Sequence, residues 1–137
     1  EISKDVAGCI TSKTDCHPYY TQFVCQLIYY RVKGESGIVT KNDVAMNYEK
    51  AVDLHRAYFD DLWQRLAHAS LLQLNICRYL ASGGRNSLYS VFDERRQNIY
   101  HAINSLIDKG IIAKDSNMHY LLVDPLLKDY INKRSIS

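Results

Sequence analysis

The residues of this chain able to supply an imidazole or a thiolate, as metal ligand, base or nucleophile, are five histidines and four cysteines. Metal sites and redox pairs usually draw two donors from one turn, at short spacing. His17, His55, His68, His101 and His119 contain no H-E-x-x-H, and Cys9, Cys16, Cys25 and Cys77 contain no C-x-x-C. Cys25 and Cys77 sit among apolar neighbours, so buried free thiols are expected, and nothing in the spacing supports a Cys9–Cys16 disulfide. Asp60-Asp61 and Glu94 read as solvated helix residues rather than an acid/base pair. No G-x-x-x-x-G-K-[ST] run is present to cradle a triphosphate. The chain by itself nominates no nucleophile and is expected to be non-catalytic, with neither metal nor cofactor of its own.

Two stretches keep some chemistry. In Thr14-Asp15-Cys16-His17-Pro18-Tyr19-Tyr20 a proline opens an apolar helix. Proline suits a first helical position because its missing N–H would have had no intrahelical partner. That explains Pro18 but not His17. In the second stretch, a turn of about 100° per residue with Ile103 inward puts Glu94, Gln97, Asn98, His101, Ser105 and Asp108 outward. The amides of Gln97 and Asn98 match the donor and acceptor of adenine, and Arg95 and Arg96 flank them near the helix start. Arg95, Arg96, Gln97, Asn98 and His101 are thus the candidate nucleic-acid contacts. Two acids share that face and no cation sits at its centre, so DNA contact is expected to be weak and lost at moderate salt.

The elements that would position these residues follow from periodicity and punctuation. A short helix is predicted from Ile2 to Ser12, with Val6 and Ile10 on one face. Tyr20, Phe23, Val24, Leu27, Ile28 and Arg31 recur at helical spacing after Pro18, until Gly34 stops them. Thr40 and Asp43 form a capping-box-like start for a helix bearing Val44, Ala45, Tyr48, Ala51 and Val52. Tyr58, Phe59, Leu62, Trp63 and Leu66 give the next stretch a broad apolar face. Ser70 caps a helix with Leu71, Leu74, Cys77 and Leu80, ended by Gly83-Gly84. After the short apolar piece Ser87 to Phe92, Asp93 is the expected N-cap of a periodic helix that stops at Lys109-Gly110. Ile111 to Lys114 and Tyr120 to Val123 then read as a hairpin, and Asp124-Pro125 opens a last helix. Helix, short helix, long helix and hairpin in that order predict a winged helix.

With 137 residues, 47% hydrophobic and 23% charged, the chain has the composition of a globular protein. Its net charge of +2 is low for a dedicated nucleic-acid binder. No apolar run approaches the ~20 residues that cross a bilayer. No membrane contact and a cytoplasmic location are expected. Opening on Glu1 without a leader, the sequence reads as a piece of something longer.

At this point the stretches combine. "TDCHPYYTQFVCQLI" resembles the "TGGHPYYLQLLC"-like segment in the helical lid of prokaryotic AAA+ ATPases related to the STAND signalling group. "DLWQRLAHASLLQLNICRYLA", "QNIYHAINSLIDKGII" and "YLLVDPLLKDYI" look like that family's closing region, in the same order. The resemblance implies a mainly α fold, with a helical lid subdomain at 1–68 packed on a winged helix at 69–137. It implies a C-terminal regulatory fragment whose partner is the N-terminal P-loop domain of the same parent chain, with a protein partner on the winged helix. ATP or ADP and Mg would belong to that parent, with His17 and Pro18 on the adenine side of the nucleotide. The family's two glycines are Asp15 and Cys16 here, which bears on how closely the backbone can approach a ligand. The competing reading is a winged-helix DNA-binding transcription regulator with a helical sensing or dimerisation domain.

Overall fold

The computed structural model describes residues 3–32 and 37–136. The described chain is mainly helical, with one small two-stranded antiparallel sheet. It divides into two compact units, Glu1–Arg56 and Ala57–Ser137.

The first unit holds α1 (Lys4–Lys13), α2 (Pro18–Val32) and α3 (Lys41–Leu54). Ser3 caps α1 by accepting the Val6 N–H, and Val6 and Ile10 are buried as their spacing predicts. On α2 the buried positions are Tyr20, Val24 and Ile28, a stripe of one residue per turn. The expected stop at Gly34, like Ile2, lies outside the described residues. Thr40 and Asp43 form the full reciprocal capping box, so aspartate reaches far enough to replace the usual glutamate. From α3 the buried apolar residues are Val44, Tyr48, Ala51 and Val52. They are joined by Asn47, whose Nδ2 donates to the Asp43 carbonyl at 2.7 Å, so its burial leaves no orphan amide donor.

The second unit runs α4 (Arg56–Ala69), α5 (Leu71–Ala81), α6 (Leu88–Val91), α7 (Arg96–Asp108), β1 (Ile112–Lys114), β2 (Tyr120–Leu122) and α8 (Pro125–Ile136). Instead of a division after residue 68, the boundary follows Arg56, and α4 packs within the second unit. Phe59 is fully buried with its ring 5.4 Å from Tyr130, and the Arg78 guanidinium lies 5.5 Å from the Trp63 ring. The α4 face is narrower than expected, because Tyr58 is 60% exposed. On α5 the expected Leu71 is 64% exposed. Gln73 is buried in its place, its Oε1 accepting from Lys109 Nζ at 3.0 Å.

Helix α7 begins later than Asp93 predicts. Arg95 is its N-cap, with no side-chain capping bond, and its carbonyl receives the N–H groups of Asn98 and Ile99. Its end is as predicted. Gly110 at φ +74° donates to the Ile107 carbonyl and Ile111 donates to Leu106, the paired bonds of a Schellman turn. The strands pair Ile112 with Leu122 and Lys114 with Tyr120. Met118 at φ +65° closes their turn, where glycine or asparagine is more common. Ile99, Ile103, Leu106, Ile112, Leu126 and Ile131 form the buried centre of this unit.

Candidate functional site

The α1–α2 junction is built from a helix end that bends backwards. Asp15 donates to the Ser12 carbonyl and Cys16 to Thr11, the same Schellman pair that closes α7. Here the left-handed residue is Asp15 at φ +51°, and Cys16 follows at φ +56°. Two consecutive non-glycine residues thus occupy conformations that glycine adopts without steric cost. The flanking residues brace the turn. Thr14 is fully buried, its Oγ1 donates to the Ile10 carbonyl at 2.8 Å, and it shares a 2.7 Å hydrogen bond with Thr21 Oγ1 on α2. The His17 backbone N–H donates to Thr14, and its carbonyl accepts from Thr21.

His17 therefore caps α2 through its backbone, not its ring. Its imidazole lies 4.6 Å from the Tyr20 ring, and its Nδ1 is buried with no hydrogen-bond partner among the described residues. A buried unmet polar atom is uncommon in proteins and calls for a reason. Pro18 is exposed at the first position of α2. Beside it Tyr19, 54% exposed, stacks on Phe23 at 6.0 Å. His55, at the end of α3, meets Tyr19, Tyr20 and Phe23 edge to face at 6.0, 5.6 and 5.2 Å. Its Nδ1 lies 2.8 Å from the Ala51 carbonyl, which orients the ring. His55 carried no signal in the sequence beyond its histidine side chain. Its place comes from the packing of α3 on α2.

The second candidate group lies on α7. Gln97, Asn98 and His101 are exposed together with Glu94 and Asp108, as the helical spacing predicts, while Ser105 is half-buried. Asn98 donates one Nδ2 hydrogen to Glu94 Oε2 at 3.3 Å, so a carboxylate competes with a base edge for that amide. Arg95 and Arg96 are exposed, and the Arg96 guanidinium lies 4.4 Å from the Tyr89 ring. His101 is in ring contact with Tyr100.

All four cysteines are free thiols; Cys77 is buried, whereas Cys25 is only half-buried. Burial pushes the Cys77 thiol up to about 12, with Lys109 opposing the shift. Among the described residues no three His, Cys, Asp or Glu side chains converge as a metal-binding group. No described helix is long and apolar enough to cross a membrane.

Comparison with protein families, with curated proteins and with solved structures gives no significant match for this chain.

Proposed function

We propose that this chain is the C-terminal regulatory part of an AAA+-type ATP-binding protein, a helical lid followed by a winged helix. The observation that carries the reading is the left-handed pair Asp15-Cys16. The lid segment it resembles has two glycines at these positions. A glycine pair and a left-handed pair are two expressions of one backbone path, the path that turns α1 into the Pro18 entrance. The order α5, α6, α7 and hairpin supports the winged helix.

In this reading the N-terminal P-loop domain of the parent holds the nucleotide phosphates and Mg, which supply the phosphoryl chemistry. The lid presents the exposed Pro18 ring to the adenine, with His17 behind it. The chain alone is then non-catalytic. A lid acts as a switch only if it contacts the two nucleotide states differently.

The test is made in the protein extended by its own upstream coding sequence, where a P-loop motif is expected. Pro18→Ala should weaken adenine-nucleotide affinity there and cost this chain only ~0.4–1 kcal/mol of stability. Unchanged affinity with lowered stability would reduce Pro18 to a helix starter, and an upstream sequence without a P-loop would end the reading.

The transcription-regulator reading is favoured by one observation. Arg95 and Arg96 pair with no carboxylate among the described residues. Against it stand Glu94, which accepts a hydrogen bond from the Asn98 amide, and Asp108 on the same exposed face. Sequence-specific duplex binding that changes on Asn98→Ala would restore it.

A further inference from the structure

The eight arginines of this chain sort into two groups. Arg31, Arg56, Arg65 and Arg134 each pair with an aspartate, at 2.8 to 3.4 Å, and Arg78 covers Trp63. The remaining three, Arg85, Arg95 and Arg96, pair with no carboxylate among the described residues, although Arg96, the first residue of α7, lies 4.4 Å from the Tyr89 ring; Arg85 and Arg95 fall in the segment joining α5 to α7. Asp93 and Glu94 offset the charge of Arg95 and Arg96 locally. Arg85 has no such neighbour in sequence, and it opens onto a cleft.

That cleft, of about 370 Å³, lies between the 84–89 loop and the β1–β2 hairpin. Arg85 from the loop and Lys114 from β1 both line it, together with Asn86, Ser87, Asn117 and His119, and no described carboxylate lines it. Asp115, the acid of the hairpin turn, is turned to the backbone, its Oδ1 accepting the N–H groups of Asn117 and His119. The loop is held in place rather than free. Tyr79 lies so close beneath Gly84 that a Cβ there would come within 2.3 Å of the ring. The same Tyr79 hydroxyl accepts the Asn86 N–H at 2.9 Å. On the hairpin side the Lys114 ammonium sits 5.3 Å from the Tyr120 ring centre. Ser87 makes no side-chain capping bond to α6, which leaves its hydroxyl for a ligand.

We propose that this cleft binds a phosphate ester, with Arg85 and Lys114 as charge partners and the Asn86, Ser87 and Asn117 side chains as further donors. A fork-shaped guanidinium and a point-like ammonium lining one cleft suit an anion with several oxygens better than a carboxylate with two. The proposal does not rest on the lid reading, whose site residues His17 and Pro18 lie in the first unit. The phosphate comes from a free nucleotide or from a nucleic-acid strand, and the probes separate the two.

The test uses the whole chain with inorganic phosphate, adenosine monophosphate and a labelled 12-nucleotide single strand. Binding is followed by NMR shifts of the 84–89 loop and hairpin amides and by anisotropy of the strand. Arg85→Gln with Lys114→Gln should weaken the binding probe about tenfold or more, the weight of one charged hydrogen bond. Arg85→Lys should keep most of the affinity, and Arg65→Gln, in the Asp61 pair, should change nothing. A free-nucleotide site shows adenosine monophosphate tighter than phosphate and a strand no tighter than the mononucleotide. A strand site shows the strand tightest, with a salt dependence that falls by ~0.7 per lost contact in the double variant. Shifts that are absent with all three probes, or unaltered by the double variant, would overturn the proposal. Circular dichroism of each variant identifies any loss of fold; if the double variant unfolds, the single Arg85→Gln change, expected to weaken binding, is compared with Arg65→Gln, and equal affinities would overturn the proposal.

Discussion

At Asp15 and Cys16 the side chains and the backbone disagree. Left-handed non-glycine residues cost of order 1–3 kcal/mol each, and glycine gives some of the relief back through its freer unfolded chain. Asp15→Gly and Cys16→Gly are therefore each expected to raise stability by about 1 kcal/mol, read from thermal or denaturant unfolding. A loss on both changes would mean that the side chains make compensating contacts. The cysteines offer a second test. Cys16 is exposed, while Cys77 is buried with its thiol pushed up to about 12. Since the thiolate is the reactive form, a native-state alkylating reagent at pH 8 should modify Cys16 quickly and Cys77 only on unfolding. Early modification of Cys77 would show that its surroundings open readily.

Among the elements, α3 starts with a full reciprocal capping box. Thr40 Oγ1 accepts the Asp43 N–H at 3.2 Å, and Asp43 Oδ2 accepts the Thr40 N–H at 2.9 Å. Thr40→Ala should lower stability by about 1 kcal/mol, as for other N-caps. The Asp43 carboxyl is held below its ordinary 3.8 mainly by the Thr40 N–H and hydroxyl, with Arg31 adding a smaller effect. The contribution is fully present above 3.8, the unfolded value, and is lost as pH falls through the lower folded one. Acid titration of stability should therefore be flatter below pH 3.8 in Asp43→Asn than in the natural chain. Equal slopes would mean that the capping carboxylate does not report on folding. The start of α7 is the opposite case, since Arg95 caps it without a side-chain bond.

At the scale of the whole molecule, polar ties between residues distant in sequence join particular helices. In the second unit Tyr130 donates to Asp60 and Arg134 approaches the same carboxylate at 3.4 Å, joining α8 to α4. Burial first, and then the bond to Asp60, raise the Tyr130 hydroxyl above its ordinary 10.0. Its contribution is thus whole below 10.0 and is lost as pH rises through the raised folded value. Tyr130→Phe should cost about 0.5–1.5 kcal/mol at neutral pH and flatten the alkaline decline in stability, and a variant with an unchanged alkaline limb would refute this. Helix periods, the Thr40 box, the Gly83 and Gly110 stops and the hairpin were legible because each depends on contacts within a few residues of chain. The Pro18 entrance and the exposed Gln97, Asn98 and His101 face were legible for the same reason. Three features were not: the left-handed turn at Asp15-Cys16, the exposure of Tyr58 and Leu71, and the aromatic setting of His55. Which face of an apolar helix is covered, and which strained turn is tolerated, depends on side chains distant in sequence. Local pattern names the candidates for burial, and only packing between helices selects among them.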